Sequence, residues 1–491
     1  MASDVPCRLD RETRCKENGL KVVVIGAGIA GLATAVACGR AGHDVIVLER
    51  DHEKAPDDPR DAPHWERHGI PHFLQPHAFL ARGIKELRTH AGDVYDALLE
   101  AGAYPIDLTK KMPAGEDLPG DDDLRFLGCR RPVMEAVLRR KTLTEPGIVI
   151  RPGTTVRGLR WEEPGVEVPR ATGVLTDDGP VSADLVVDAA GRSSPVSEWI
   201  IDAGGRASVE EVSDCGLVYY SRYYRFRPGA VQREGPWLLG PRVELGYYEL
   251  GTFWGDNETF SCVQQIHPED RELRLLRHPE AFTSALRSIR PASYLVDDEV
   301  SEPITEVLPM GQLRNTWRSF VHEGRPIANG LVSIGDALCH TNPRYAWGLS
   351  LALSHAFTLA RSLAGSDADS SVASFYAATS REVRTVFEVA SDTDAARTRH
   401  WREGGLDLTS ISSESLPLFL LYTFPIAGMF DREVFRAAIS RLMLLDDPRT
   451  IEGNQKLLER AVTSVHKMLA GSPPPPQGPQ RDEMLEIIRR A

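Results

Sequence analysis

Gly26, Gly28 and Gly31, with Glu49 placed 21 positions beyond Gly28, have the type and spacing to bind a dinucleotide. Gly26 permits a tight turn, Gly28 lets the backbone approach a pyrophosphate, and Gly31 lets a helix pack against its strand. The helix start that follows offers free N–H groups and the positive end of the helix dipole. Glu49 stands where a carboxylate meets a ribose hydroxyl. The flanking elements fit. Lys21 to Ile25 reads as a buried parallel strand, an alanine-rich helix runs to about Gly39, and Asp44 to Leu48 is a second strand.

Two further stretches carry chemistry. Leu331 to Ile334 is an apolar strand running into Gly335-Asp336, then Cys339-His340-Thr341-Asn342-Pro343, then Gly348-Leu349 and a small-residue helix. An aspartate after a buried strand can accept hydrogen bonds from a ribityl or ribose hydroxyl, and the next helix start can meet an anionic ring or phosphate. Arg130 and Arg131 open another helix, with Pro132 in its first turn. Two arginines there oppose the helix dipole unless an anion or carboxylate answers them, which makes Arg131 a candidate for the phosphates and a surface ion pair its alternative. His64, His68, His72, His77 and His90 crowd one stretch without HExxH spacing, so no metal site is expected. Prolines at 71 and 76 suggest an irregular approach to a helix starting near His77, which is the preferred cavity histidine.

The 491-residue chain has 57 basic and 70 acidic residues, a net charge of −13 that disfavours a nucleic-acid partner. Its seven cysteines include no CxxC pair, which fits a reducing cytoplasm. Residues 1–20 lack the apolar core of a signal peptide, and no apolar run is long enough to span a membrane. The nearest, Leu416 to Phe430, is broken by Pro417 and Pro425 and is expected to be buried or pocket-lining. Gly147 to Asp178 suggests a small antiparallel excursion, and Asp184 to Val187 another buried strand. Residues 211–265 are β-like and rich in aromatics (Tyr219, Tyr220, Tyr223, Tyr224, Phe226, Tyr247, Tyr248, Phe253, Trp254), most of them expected in a core and two or three against a ligand. Val372 to His400 reads as one amphipathic helix, and a proline linker precedes a terminal helix from Arg481 to Arg490.

Together the three motif stretches resemble the flavoprotein monooxygenases with the aromatic hydroxylase fold, a superfamily that includes squalene-epoxidase-like, geranylgeranyl-reductase-like and flavin halogenase relatives. The resemblance spans roughly residues 20–400. It implies an α/β fold: a Rossmann-like FAD-binding domain interleaved with a mixed β-sheet substrate domain, plus a helical C-terminal region. The expected divisions are an extension at 1–20, FAD-binding parts at 21–200 and 301–370, a substrate domain at 201–300, helices at 371–470 and a tail at 471–491. By the same likeness Gly26, Gly28, Gly31, Glu49 and Arg50 bind the ADP half of FAD, and Arg131 touches the cofactor from its helix. Gly335 and Asp336 hold the ribityl chain, while Pro343, Gly348 and Leu349 lie beside the isoalloxazine. Asp188 to Ser194 keeps only a DxxGRSS form of the second family motif.

The family route is reduction of FAD by NAD(P)H, reaction with O2 to a C4a-hydroperoxyflavin, and oxygen transfer that hydroxylates or epoxidises the substrate. No second nucleotide fingerprint is present, so NADPH or NADH would bind transiently, or a separate flavin reductase would supply electrons. His77 and His340 are the candidates to polarise a phenol or the hydroperoxide. The aromatic sheet and the 416–430 run suggest a bulky, largely apolar or aromatic substrate. A reductase or dehydrogenase of a prenyl-like substrate shares every cofactor motif and is the alternative. A halogenase is disfavoured by the missing WxWxIP segment and the lack of a suitable lysine at 64–84. A non-enzymatic flavin-binding protein is the remaining class.

Overall fold

The computed structural model describes residues 19–162, 165–230, 239–365, 367–404, 407–470 and 475–491. The expected N-terminal extension therefore lies outside the described residues, apart from positions 19 and 20. Val22, Val23 and Val24 are fully buried in β1 (Lys21–Ile25), as befits a strand covered on both faces. The chain turns at Gly26, whose φ of +100° suits glycine, and enters α1 (Ile29–Arg40). A Cβ on Gly31 would stand 1.9 Å from the Gly26 carbonyl oxygen, so only glycine lets the helix lie this close to the turn. β2 (Asp44–Glu49) pairs in parallel with β1.

The histidine-rich stretch stays irregular longer than its sequence suggests. α2 (Ala81–His90) begins four residues after His77, so that histidine precedes the helix rather than opening it. Phe79 bridges to Leu127, and Pro76 has no N–H to give to a helical turn; both hold this segment out of the helix. α3 (Arg131–Thr144) leads to β3 (Ile148–Pro152), which pairs in parallel with β2. The expected antiparallel excursion from Gly147 thus starts too early, because α3 is a crossover that returns the chain to the parallel sheet. The antiparallel part is β4 (Val156–Trp161), β5 (Ala171–Thr176) and β6 (Gly179–Ser182). β7 (Leu185–Asp188) then lies on the other side of β1.

The second region begins with β8 (Val209–Asp214), β9 (Val218–Phe226), β10 (Arg242–Glu244), β11 (Tyr248–Trp254) and β12 (Thr259–Ile266). After α4 (Pro279–Ser288) come β13 (Ser301–Pro303) and β14 (Leu308–Met310), both antiparallel to β9. This sheet runs β10–β11–β12–β9–β13 and extends past the expected boundary at 300. β15 (Arg314–Ser319) pairs with β8, β16 (Leu331–Ser333) completes the parallel order β16–β7–β1–β2–β3, and β17 (Cys339–His340) joins β15.

Alternation along β9, β11 and β12 sorts their side chains between two faces. Tyr220, Tyr224, Tyr248, Trp254 and Phe260 point into a core closed by α4. Tyr219, Ser221, Phe253, Val263 and Gln265 point the other way, to a cavity. α5 (Trp347–Ser362) packs on α1, followed by α6 (Ala368–Glu403), α7 (Arg432–Leu442) and α8 (Gln455–Leu469). The apolar 416–430 run fills a core of its own through Phe419, Leu420, Phe424 and Ala427, with Ile426 and Phe430 left exposed. Its hydrophobicity therefore serves helix packing and says nothing about substrate. α9 (Arg481–Arg490) inserts Met484, Leu485 and Ile488 into the core behind the antiparallel sheet.

Candidate active site

Four elements meet at one elongated cleft. Its lining includes Gly28 and Ala30 at the start of α1, His72 and His77 from the irregular stretch, and Arg131 of α3. Asp336, His340, Pro343, Gly348 and Leu349 complete the far end. The expected residues thus divide. Gly28, His77, Arg131, Asp336, His340, Pro343, Gly348 and Leu349 line the cleft. Gly26, Gly31 and Gly335 shape it from behind: a Cβ on Gly335 would stand 3.0 Å from that of Ala30. Arg50 is exposed and donates to the Gly69 carbonyl at 2.8 Å, outside the cleft.

The two arginines at the start of α3 are answered separately. Arg130 is a structural group: Asp256 accepts from its backbone N–H at 2.7 Å and pairs with its guanidinium. Arg131 faces the cleft, where its Nη1 donates to His72 Nε2 at 2.8 Å and approaches His77 Nε2 at 3.4 Å. Glu135, one helical turn on, lies 3.5 Å from Arg131 Nε. A Cβ on Gly28 would meet little besides Arg131 Nη2 at 3.9 Å and Ile70 at 4.0 Å, so the space before α1 is open with a cation across it. No side chain caps the first turn of α1, and its N–H groups face that space.

Burial, then the charge of Arg131, pushes His72 down to about 2 and His77 down to about 3, so both rings are neutral at ordinary pH. His77 Nδ1 donates to the Gln75 carbonyl at 2.7 Å, which leaves Nε2 as the acceptor turned to Arg131. Burial alone would raise Asp336, yet its hydrogen bond to His340 and the charge of Arg131 outweigh it and hold the carboxylate below its usual range. Its partner His340 donates from Nδ1 to Oδ2 at 3.2 Å, and His340 Nε2 is buried without a partner.

Glu49 reaches back to the glycine turn, where Oε2 accepts from the Ala27 N–H at 2.9 Å. The composition gave no hint of its second partner. Arg67, buried between the strands and α3, contacts Glu49 at 2.8 Å, Asp51 at 3.1 Å and Glu135 at 2.5 Å. Burial disfavours its charge, but these carboxylates more than compensate and raise its pKa. Arg67 and Glu135 thereby join Glu49, behind the glycine turn, to Arg131 in the cleft. Asp188, from the loosened second motif, instead locks the scaffold by accepting from Ser194, Ser333 and the Ala190 N–H.

A second, narrow cavity of ≈ 30 Å³ adjoins the cleft and shares Pro76, His77, Ala78, Pro343 and Ala346 with it. Its wall is the second face of the antiparallel sheet: Tyr219, Ser221, Phe253, Val263 and Gln265. Tyr219 donates to Asn342 Oδ1 at 2.5 Å, and Asn342 Nδ2 donates to Asp394 of α6 at 2.9 Å, which ties this wall to the loop before α5. Arg344 closes one side through a two-pronged pair with the fully buried Glu249, at 2.6 and 2.9 Å. Sequence spacing hints at part of this wall, since odd positions of β12 carry Thr259, Ser261, Val263 and Gln265 while even ones carry Phe260, Cys262, Gln264 and Ile266, an alternation broken only at 263 and 264.

The cleft fits an FAD on its own features: open space over Gly28, an uncapped helix start, a cation across it, and an ionised carboxylate farther along. Among the described residues no cluster of three metal-ligating side chains occurs, and no helix is long and apolar enough to cross a membrane. The family model described as FAD dependent oxidoreductase matches residues 21–111. Protein Rv3254 of Mycobacterium tuberculosis is 29% identical over 370 residues, covering 70% of this chain and 72% of its own length. FAD-dependent monooxygenase dmxR9 of Cryptosporiopsis sp. is 24% identical over 385 residues, covering 72% of this chain and 68% of its own. Among solved structures, pqsL, a probable FAD-dependent monooxygenase from Pseudomonas aeruginosa, shares the fold at TM-score 0.57 and 16% identity, over 78% of this chain and 98% of that one. The flavin-dependent brominase Bmp2 does so at TM-score 0.56 and 18% identity, over 92% and 99%.

Proposed function

Because the chain belongs to the FAD-dependent monooxygenase superfamily, we propose that its cleft holds FAD and that a ring-bearing small molecule is presented where the adjoining cavity meets it, for hydroxylation or epoxidation by O2. The observation that carries this reading is the shared wall: one set of residues, His77 and Pro343 among them, borders both cavities. Reduced FAD supplies the electrons that activate O2.

The residues have separate tasks in this reading. The first turn of α1 and Arg131 bind the pyrophosphate, and Glu49 takes a ribose hydroxyl with its remaining acceptor position. Asp336, kept ionised by its neighbours, accepts from ribityl hydroxyls. Gly348 and Leu349 bring the start of α5 to the ring system. His77 has no proton to offer at Nε2, so it holds Arg131 and walls the junction between the cavities. His340, which lines the cleft with its Nδ1 bonded to Asp336 and its Nε2 without a partner, is the group placed to accept a proton there. Among the described residues neither cavity is lined by a lysine, which favours oxygenation over halogenation.

The test uses FAD-loaded protein reduced by NADPH, NADH or a flavin reductase, then mixed with ¹⁸O2 and a panel of ring compounds. One ¹⁸O atom in the product is the expected result. Product formed in anaerobic turnover would replace this reading with a reductase.

A further inference from the structure

Arg441, in the last turn of α7, is a buried cation that no carboxylate answers. The residue is 5% exposed, and its Nε donates to the Pro448 carbonyl at 3.1 Å. Neither Nη has a hydrogen-bond or ion-pair partner among the described residues. Other buried arginines differ. Arg67, Arg130, Arg344 and Arg397 are each held by carboxylates, which raise their pKa values. Arg139, whose pKa is lowered by burial, rests over the Trp65 ring at 5.7 Å. Burial pulls Arg441 down to about 10, the direction expected of a charge that has lost its water without gaining a partner.

Arg441 lines a cavity of ≈ 360 Å³ between α6, α7 and the segments 413–417 and 449–452. The cavity shares no residue with the cleft or with the narrow cavity beside it. Val389, Ala396, Leu416 and Pro417 give it an apolar wall. Arg449, also in the lining, is already engaged with Glu388, Asp392 and Glu452 at 3.4, 3.0 and 3.1 Å. The Arg441 guanidinium is thus the buried cation left to receive a ligand, and its parallel N–H donors match a carboxylate. Asp392, Glu414 and Glu452 in the same lining would repel a ligand with more than one negative charge.

We propose that this cavity is a second small-molecule site, in which Arg441 takes the carboxylate of a monoanion whose apolar body lies along Val389, Ala396, Leu416 and Pro417. Its volume falls within the range of small-molecule sites. A carboxylate arriving at Arg441 offsets the cost of burying that charge alone.

Isothermal titration calorimetry of the FAD-loaded protein tests this with octanoate and with octanamide, its uncharged counterpart of the same length. Octanoate should saturate one site per chain and bind at least about 10-fold tighter than octanamide, the preference expected of a hydrogen bond between charged groups. Arg441→Gln should bring that ratio below about 3-fold with FAD content unchanged. Arg441→Lys keeps the charge without the fork, so its ratio should fall between the two, and it guards against a folding failure of the first variant. No saturable binding of octanoate, or equal affinity for the two ligands, would overturn the proposal. So would a ratio unchanged in both variants, which would place the carboxylate elsewhere in the protein.

Discussion

The cleft and the adjoining chamber share a wall but are built on opposite principles. The cleft is a chain of charged and polar groups that answer one another: Asp336 with His340, Arg131 with Glu135, and Arg67 with Glu135, Glu49 and Asp51. The chamber, apart from the Arg344–Glu249 pair on one side, presents neutral polar atoms with no hydrogen-bond partner among the described residues. Buried charges must be paired before any ligand arrives, so the cleft is rigid in advance. Neutral orphans are tolerable. Substitutions should therefore cost more stability in the cleft than in the chamber.

Arg67→Met gives the largest expected effect. It strands three carboxylates in a buried site and should cost about 3–5 kcal/mol in urea unfolding. Arg67→Lys should recover only part of this, because an ammonium cannot fork between carboxylates as a guanidinium does. Wild-type stability in the Met variant would break the contrast. Acid comes next. His72 and His77 stay neutral in the fold at pH values where the unfolded chain takes up protons. Their lowered pKa values favour unfolding once the pH drops below about 6.5, by up to about 1.4 kcal/mol per histidine for each pH unit. Melting curves between pH 7 and pH 5 should show this loss, and His72→Gln should flatten it. Gln265→Leu should have the smallest effect, a change in stability within about 1 kcal/mol and of either sign, since the wild-type amide oxygen has no bond to lose. A loss of several kcal/mol there would show that the chamber is held together as the cleft is.

The difference between the regions also explains what could be read in the sequence. Gly26, Gly28 and Gly31 announce themselves because backbone geometry at a tight turn admits one residue type. Asp336 is legible because a carboxylate after a buried strand has no packing role. Arg67 is not, because its meaning depends on Glu135, which lies far along the chain and meets it only when α3 folds back beside α1 and the 59–64 turn. The aromatic strands are legible in outline only: composition suggests a core with two or three rings against a ligand, and it is the pairing register that sends Tyr220, Tyr224, Tyr248 and Trp254 into the core and Tyr219 and Phe253 to the cavity beside Ser221 and Gln265. The prolines at 71 and 76 suggest a helix from about His77, while the Phe79–Leu127 bridge delays that helix to Ala81.

The central claim, that the cleft between Gly28 and Asp336 holds FAD, is tested most directly by titrating cofactor-stripped protein with FAD and following flavin fluorescence. The wild type should saturate at one FAD per chain, and Asp336→Ala should bind about ten- to a hundredfold more weakly, the loss expected for hydrogen bonds to a charged acceptor. No saturable binding by the wild type, or equal affinity in the two proteins, would contradict it.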